Sequence, residues 1–343
     1  MDIPAPRANP ILLGHAPAEA ALAGALSGGR LHHAWLITGP EGIGKATLAY
    51  RFARWLLAGG PRADTTRADL ALDPAHPVFR RVATGSHADL LTIERSLDST
   101  RKRLRRQIVV DDVRRLHGFL GLTPAEGGWR VVMVDGADTL NPAAANALLK
   151  VLEEPPPRAV LLLTCAATGR LPATLLSRCR RLPLSPLGPP DMADLLARFL
   201  PDMAGPDRLR LAALAEGAPG RALRLAAGEG LRIATLVARV LDADPATPLA
   251  AARLGHETAD ALGRTDEAFT IYMELLRGTI AATIGEQVRG LAEGAPPAML
   301  ARRSLDSWAE TWHALGRLQE ETEQQALDRR QAVLSSLELV SAG

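Results

Sequence analysis

Apolar positions along the first half of the chain change spacing repeatedly. Ala34-Trp-Leu-Ile-Thr38, Leu90-Leu-Thr-Ile-Glu94, Arg130-Val-Val-Met-Val-Asp135, Ala159 to Thr164 and Arg181 to Leu184 are short apolar runs. Their length and their Val/Ile/Leu content fit buried strands. Between them the spacing becomes helical. Helices are expected over 10–31, over Thr47 to Ala58 with its apolar set Leu48, Ala49, Phe52, Trp55 and Leu56, and over Asp112 to Leu120. Another should run from about Ala143 to Glu154, opened by Asn141-Pro142 and stopped by Pro155-Pro-Pro157. Strands alternating with helices predict a parallel sheet covered on both faces, an α/β domain. Gly59 to His87 reads as an irregular excursion, Arg101 to Arg106 as a basic loop, and Gly127-Gly128 as a turn.

Past Ser185-Pro-Leu-Gly-Pro-Pro190 the strand-type runs stop. Helices are predicted over Met192 to Leu200, Asp207 to Glu216, Arg221 to Gly228 and Leu231 to Leu241, and onward to the end, with Gly217-Ala-Pro-Gly220 dividing two of them. Boundaries fall near 186 and 230, which divides the chain into 1–186, 187–230 and 231–343.

Composition narrows the class. A chain of 343 residues is too long for one ordinary domain. Hydrophobic residues at 47% and charged residues at 23% give a globular balance. The net charge of +2 carries no global nucleic-acid signature, so any basic surface is local. Two cysteines, Cys165 and Cys179, suit a reducing compartment rather than a disulfide framework. There is no basic-then-apolar leader and no apolar run of about 18 residues, which fits a cytoplasmic protein.

The chemistry concentrates at Gly39-Pro-Glu-Gly-Ile-Gly-Lys-Ala46, between a predicted strand and a predicted helix. This is the context of a phosphate-binding loop, whose backbone N–H groups and helix start attract phosphate oxygens. Gly39, Gly42 and Gly44 supply the turn and Lys45 the cation for the β/γ-phosphates. The last position should be a hydroxyl that ligates Mg²⁺, and here it is Ala46. The strand ending at Asp135 delivers the metal-shell carboxylate of such sites, but the following base position is Gly136. Thr47 and Asp138 are the available substitutes. Loss of both groups argues against hydrolysis, which depends on a positioned metal and nucleophile.

Asn146-Ala-Leu-Leu-Lys-Val-Leu-Glu-Glu-Pro-Pro156 and Leu175-Leu-Ser-Arg-Cys179, taken with the loop, resemble the clamp-loader branch of the AAA+ ATPases, and within it the delta-prime subunits of bacterial DNA polymerase III. The resemblance covers the first 230 residues; the remainder is similar only as a helical domain of the right length. It implies a RecA-like α/β domain over 1–186, a helical lid over 187–230 and an all-α collar over 231–343. It implies a five-membered ring shared with motor subunits of gamma/tau type and a delta subunit, which loads the sliding clamp onto primed DNA in replication. Ser177-Arg178-Cys179 matches the motif whose arginine reaches into the neighbouring subunit's ATP, a task suited to a permanently charged, forked guanidinium. Arg221, in Gly217-Ala-Pro-Gly-Arg221, matches the lid arginine that touches phosphates in active members.

The departures from active members are Ala46, Gly136, a polar sensor position that reads Cys165-Ala-Ala, and the lack of the four-cysteine zinc module after the P-loop helix. His76 and His87 remain there, as solvated histidines rather than ligands, and no zinc is expected. The resulting expectation is a stationary subunit that is not catalytic alone, needs no cofactor, retains at most weak ATP or ADP binding, and donates Arg178 in trans. The alternative is an active motor subunit that uses Thr47 and Asp138; a third reading is a nucleotide-binding regulator outside any ring. The basic run is read as a solvated loop. Trp308 and Trp312 are read as collar core or subunit interface, and Cys179 as a small buried residue.

Overall fold

The computed structural model describes residues 4–60, 70–97, 104–126, 128–243, 247–263, 265–289, 303–325 and 327–341. Arg101 to Arg103 of the basic run and Gly127 of the expected turn lie outside them. By contacts the chain divides into two units, 1–202 with 215–221, and 203–214 with 222–343.

In the first unit five strands form one sheet: β1 (Ala34–Thr38), β2 (Leu90–Ile93), β3 (Arg130–Val134), β4 (Ala159–Cys165) and β5 (Arg180–Pro183), in spatial order β2-β3-β4-β1-β5. Every pairing is parallel. Helix α1 (Ala16–Ser27) precedes the sheet, and the crossovers run through α2 (Lys45–Leu57), α3 (Pro77–Thr84), α4 (Val110–Gly121), α5 (Pro142–Glu153) and α6 (Ala173–Leu176). The three central strands are buried on both faces, as parallel sheets require. Alternate residues serve alternate faces. Leu36, Val132, Val134, Leu161 and Leu163 join Val113 and Leu116 of α4, Leu148 and Leu152 of α5, and Leu175 of α6 in one core. The helix α2 packs against β1, β3 and β4 and buries Leu48, Phe52, Trp55 and Leu56.

The structure differs from the sequence reading in three respects. The first helix starts at Ala16 rather than near residue 10. The segment before it is a strap held by two buried arginines of α2. Arg51 donates to Pro10 O at 2.6 Å and pairs with Glu19 at 2.5 Å. Arg54 donates to Arg7 O at 2.9 Å and Asn9 O at 2.8 Å, and stacks on Phe79. The excursion after α2 contains α3, started by His76, whose ring nitrogen accepts from Val78 N. His87 is buried at 4% exposure rather than solvated. Its Nδ1 accepts from Asp89 N, and burial lowers its pKa.

The helix α7 (Pro189–Phe199) and the turn through Gly217 also belong to the first unit, Leu187 N donating to Gly217 O at 2.9 Å.

Beyond residue 202 the described elements are all helices, and apart from residues 215–221 they lie in the second unit: α8 (Gly205–Ala215), α9 (Pro219–Ala227), α10 (Gly230–Asp242), α11 (Pro248–Leu262), α12 (Asp266–Arg289), α13 (Leu305–Gln325) and α14 (Arg329–Ser341), with α8 and α9 each crossing a unit boundary. Trp308 is buried, and Trp312 donates its indole N–H to Arg277 O at 3.1 Å while the Arg277 guanidinium lies over its ring. Both tryptophans therefore serve this unit's own packing. Among the described residues no helix is long and apolar enough to cross a membrane.

Candidate nucleotide site and the Ser-Arg-Cys segment

The loop between β1 and α2 holds Gly39, Gly42 and Gly44 at φ of 147°, 78° and 111°, all left-handed values that glycine alone adopts freely. Lys45 opens α2. Its ammonium donates to the Gly39 and Pro40 carbonyls, each at 2.7 Å. Burial lowers its pKa, and Asp138, Glu41 and Asp135 oppose that shift, so three carboxylates face this cation. Ala46 follows with only a methyl group, and Thr47 is buried at 8% exposure in the first turn of α2.

A second backbone segment closes on the loop. Gly220 N donates to Gly42 O at 2.7 Å. A Cβ at Gly42 would stand 2.6 Å from Arg221 N, and one at Gly220 would stand 2.9 Å from Gly42 O. Arg221 thus reaches the P-loop through its backbone, while its side chain pairs with Glu216 at 3.3 Å. From the other side, buried His15 donates its Nε2 proton to Ile43 O at 2.9 Å.

At the end of β3, Asp135 accepts from the Thr164 hydroxyl at 2.6 Å, and the same hydroxyl oxygen accepts from Gly136 N at 2.8 Å. Thr164 is therefore the polar group beside the acidic strand end. The sequence reading put that position at Cys165, whose side chain is buried in the α5 core. Gly136 has φ of 82°. A glutamate there would be strained by its backbone, although a Cβ would meet only ordinary contacts with Thr139 at 3.5 and 3.7 Å. Asp138 accepts from Ala167 N at 3.0 Å and is occupied in holding the turn after β4. A magnesium ion at Asp135 would lack the hydroxyl that position 46 supplies in such loops. Among the described residues no group of His, Cys, Asp and Glu could hold a metal ion.

Arg178 lies at the opposite end of the sheet. Strand β5 begins two residues later and runs parallel to β1, with Arg180 opposite Trp35. The P-loop leaves the other end of β1, after Thr38. A five-residue strand separates the two ends by roughly 16 Å at about 3.3 Å per residue. Arg178 is 35% exposed. It donates through Nη1 to Thr174 O at 2.9 Å and through Nη2 to Glu153 at 2.8 Å. Cys179 beside it is buried, and burial pushes its thiol up to about 11, an inert rather than nucleophilic state.

Residues 14–188 match the model of the family described as DNA polymerase III, delta subunit. The chain belongs to that family. Both motifs that carried the delta-prime resemblance, Asn146 to Pro156 and Leu175 to Cys179, fall inside the matched span. Over 217 residues the chain is 37% identical to DNA polymerase III subunit delta' of Pseudomonas aeruginosa, covering 63% of this chain and 62% of that one. Over 169 residues it is 34% identical to subunit tau of Salmonella typhimurium, covering 49% and 24%. The match spans less than two thirds of the length of either relative. Its structure resembles a DNA polymerase III gamma-subunit-related protein of Thermotoga maritima at TM-score 0.50 and 16% identity, covering 94% of this chain and 99% of that one. The likeness is one of fold, and it bears out the α/β P-loop architecture followed by a helical region. For this member of the family, the residues read from sequence separate into Gly39 to Thr47, Asp135 and Arg221 at one end of the sheet and Arg178 at the other. Thr164, His15 and Glu153 were not singled out in sequence; each is recognised only by a partner far along the chain.

Proposed function

We infer that the chain is the stationary, delta-prime-type subunit of a clamp loader for DNA polymerase III. It assembles with ATPase subunits of gamma/tau type and a delta subunit in a five-membered ring, and through that ring contributes to loading the sliding clamp onto primed DNA in the cytoplasm. In this reading 1–186 is the core, 187–230 the lid and 231–343 the ring-forming collar. The chain hydrolyses no ATP itself and uses no zinc. Its P-loop, closed by Gly220 and lacking the metal hydroxyl, binds ATP or ADP weakly at most. Arg178 acts in trans, stabilising charge on the phosphoryl group as it transfers in the neighbour's site.

The observation that carries this reading is the separation of Arg178 from the chain's own P-loop by the length of the sheet. An arginine beyond the strand starts cannot serve a loop beyond the strand ends of the same domain, so its phosphate partner belongs to another subunit. The test is reconstitution of the full chain with the ATPase subunits, in which Arg178→Ala should depress ATP turnover while leaving assembly and ATP binding by the neighbour intact. Normal turnover by that assembly would refute the trans role. The motor reading predicts Mg-ATP turnover by the isolated chain at ordinary ATPase rates, and background rates exclude it.

A further inference from the structure

We propose that Glu153 is the positioning residue for Arg178, fixing its guanidinium before the neighbouring subunit's nucleotide arrives. The proposal rests on the trans role of Arg178 and adds a second residue to it. Glu153 is the last residue of α5, and Glu154 follows it. Two carboxylates at the negative end of a helix dipole are electrostatically misplaced. Pro155-Pro-Pro157 stops the helix there, so the carboxylates are held where the chain leaves α5. Arg178 supplies the opposite charge, its Nη2 lying 2.8 Å from a Glu153 oxygen. The other terminal nitrogen is fixed at the same time by Thr174 O at 2.9 Å. Both anchors stand on packed elements, since α5 buries Val151 and Leu152 and α6 buries Leu175 in one core.

Chemistry separates this arrangement from an ordinary surface ion pair. A long, flexible arginine serving another subunit loses rotamer freedom when it meets the phosphate, and prior anchoring removes that loss from the reacting complex. The two anchors occupy one N–H on each terminal nitrogen. A guanidinium has five such donors, so a phosphate could still be met without release of either anchor.

Steady-state ATP turnover of the reconstituted full-chain assembly, with the ATP sites other than the one served by Arg178 disabled, tests this with four variants: Glu153→Ala, Glu153→Gln, Arg178→Ala and the double Glu153→Ala/Arg178→Ala. Glu153→Ala should lower kcat about 10-fold with KM for ATP and assembly unchanged, because misplacement acts on the reacting geometry. Glu153→Gln, which keeps an acceptor at the same reach, should recover to within about 3-fold of the parent. The double variant should be no slower than Arg178→Ala alone, since Glu153 acts only through that side chain. Parental or raised kcat in Glu153→Ala beside an impaired Arg178→Ala would overturn the positioning role and leave the trans role standing. A further loss in the double variant would overturn it as well, in favour of a general structural part for Glu153. Parental turnover in Arg178→Ala would instead remove the trans role itself, and this proposal with it.

Discussion

The two ends of the sheet have been treated differently. At the carboxyl end of the strands, where parallel α/β folds bind their ligands, four of the groups described above are engaged inside the chain. Lys45 faces its own loop carbonyls, Asp135 holds Thr164, Asp138 holds Ala167 N, and Gly42 is bonded to Gly220. At the amino end one guanidinium is anchored on two sides and still partly exposed. The first end has the form of a nucleotide site with its polar groups turned to internal bonding. The second lies away from that site, its guanidinium still open to solvent.

The comparison breaks most sharply at Arg178. Its replacement by alanine should slow the served site by on the order of 10³, the low end of what such an arginine contributes. Single-turnover hydrolysis, in an assembly whose other ATP sites are disabled, reads that loss directly. Next in size is the closure of the P-loop. Gly42→Ala places a Cβ against Arg221 N and should cost roughly 2 kcal/mol in denaturant unfolding, from the strained φ and the clash together. It should leave turnover by the assembled loader near the parental rate, because Arg178 is at the far end.

The two cysteines sharpen the contrast with a smaller effect, since one lies at each end. Burial, with Asp138 adding to it, pushes the Cys165 thiol up to about 11, and burial alone does the same for Cys179. Both folded values stand above the ordinary value of 9.0. The stability they supply is therefore present below pH 9 and lost as pH rises from 9 through 11. Cys165→Ala and Cys179→Ala should each flatten that alkaline loss in a pH series of unfolding curves. The same thiols report the ends separately: Gly42→Ala should speed labelling of Cys165 by a thiol reagent and leave Cys179 unchanged. The smallest expected effect is none at all. Ala46→Ser combined with Gly136→Glu should leave Mg-ATP turnover by the isolated chain at background, because the left-handed turn at Gly136 resists a side chain. Turnover at motor rates would show that the degraded end is only two residues from an enzyme.

Most of the fold was legible because its signals are local. Five short apolar runs became five parallel strands, and Asn141 with Pro155 fixed the span of α5 to within a residue or two. The P-loop was legible for the same reason, as glycines at a fixed spacing between strand and helix. What escaped depends on partners distant in sequence. Thr164 ends an otherwise apolar strand, and only the neighbouring strand reveals that it faces Asp135. Glu153 belongs to a motif that was read for family resemblance, and its charge acquires a purpose only when residues 25 positions later fold back against it. His87 sits in a stretch rich in glycine and proline, where solvent is the natural expectation, yet α3 forms there and covers it. The first helix was drawn from residue 10, although it starts at Ala16 and Pro10 belongs to the strap that α2 holds.

That strap has a consequence for tolerance to change. Arg51 and Arg54 grip it through the carbonyls of Pro10, Arg7 and Asn9, atoms that every amino acid carries. Apart from Asn9, whose Oδ1 accepts from Ile11 N at 2.9 Å, the identity of the strap residues is thus largely free, whereas the two arginines are not, because no shorter cation could span from a buried helix to a separate stretch of backbone. Random variation at positions 7, 8 and 10 should therefore yield mostly folded chains, and equal variation at 51 and 54 very few. The least variable part of this N-terminal attachment should lie some forty residues beyond it.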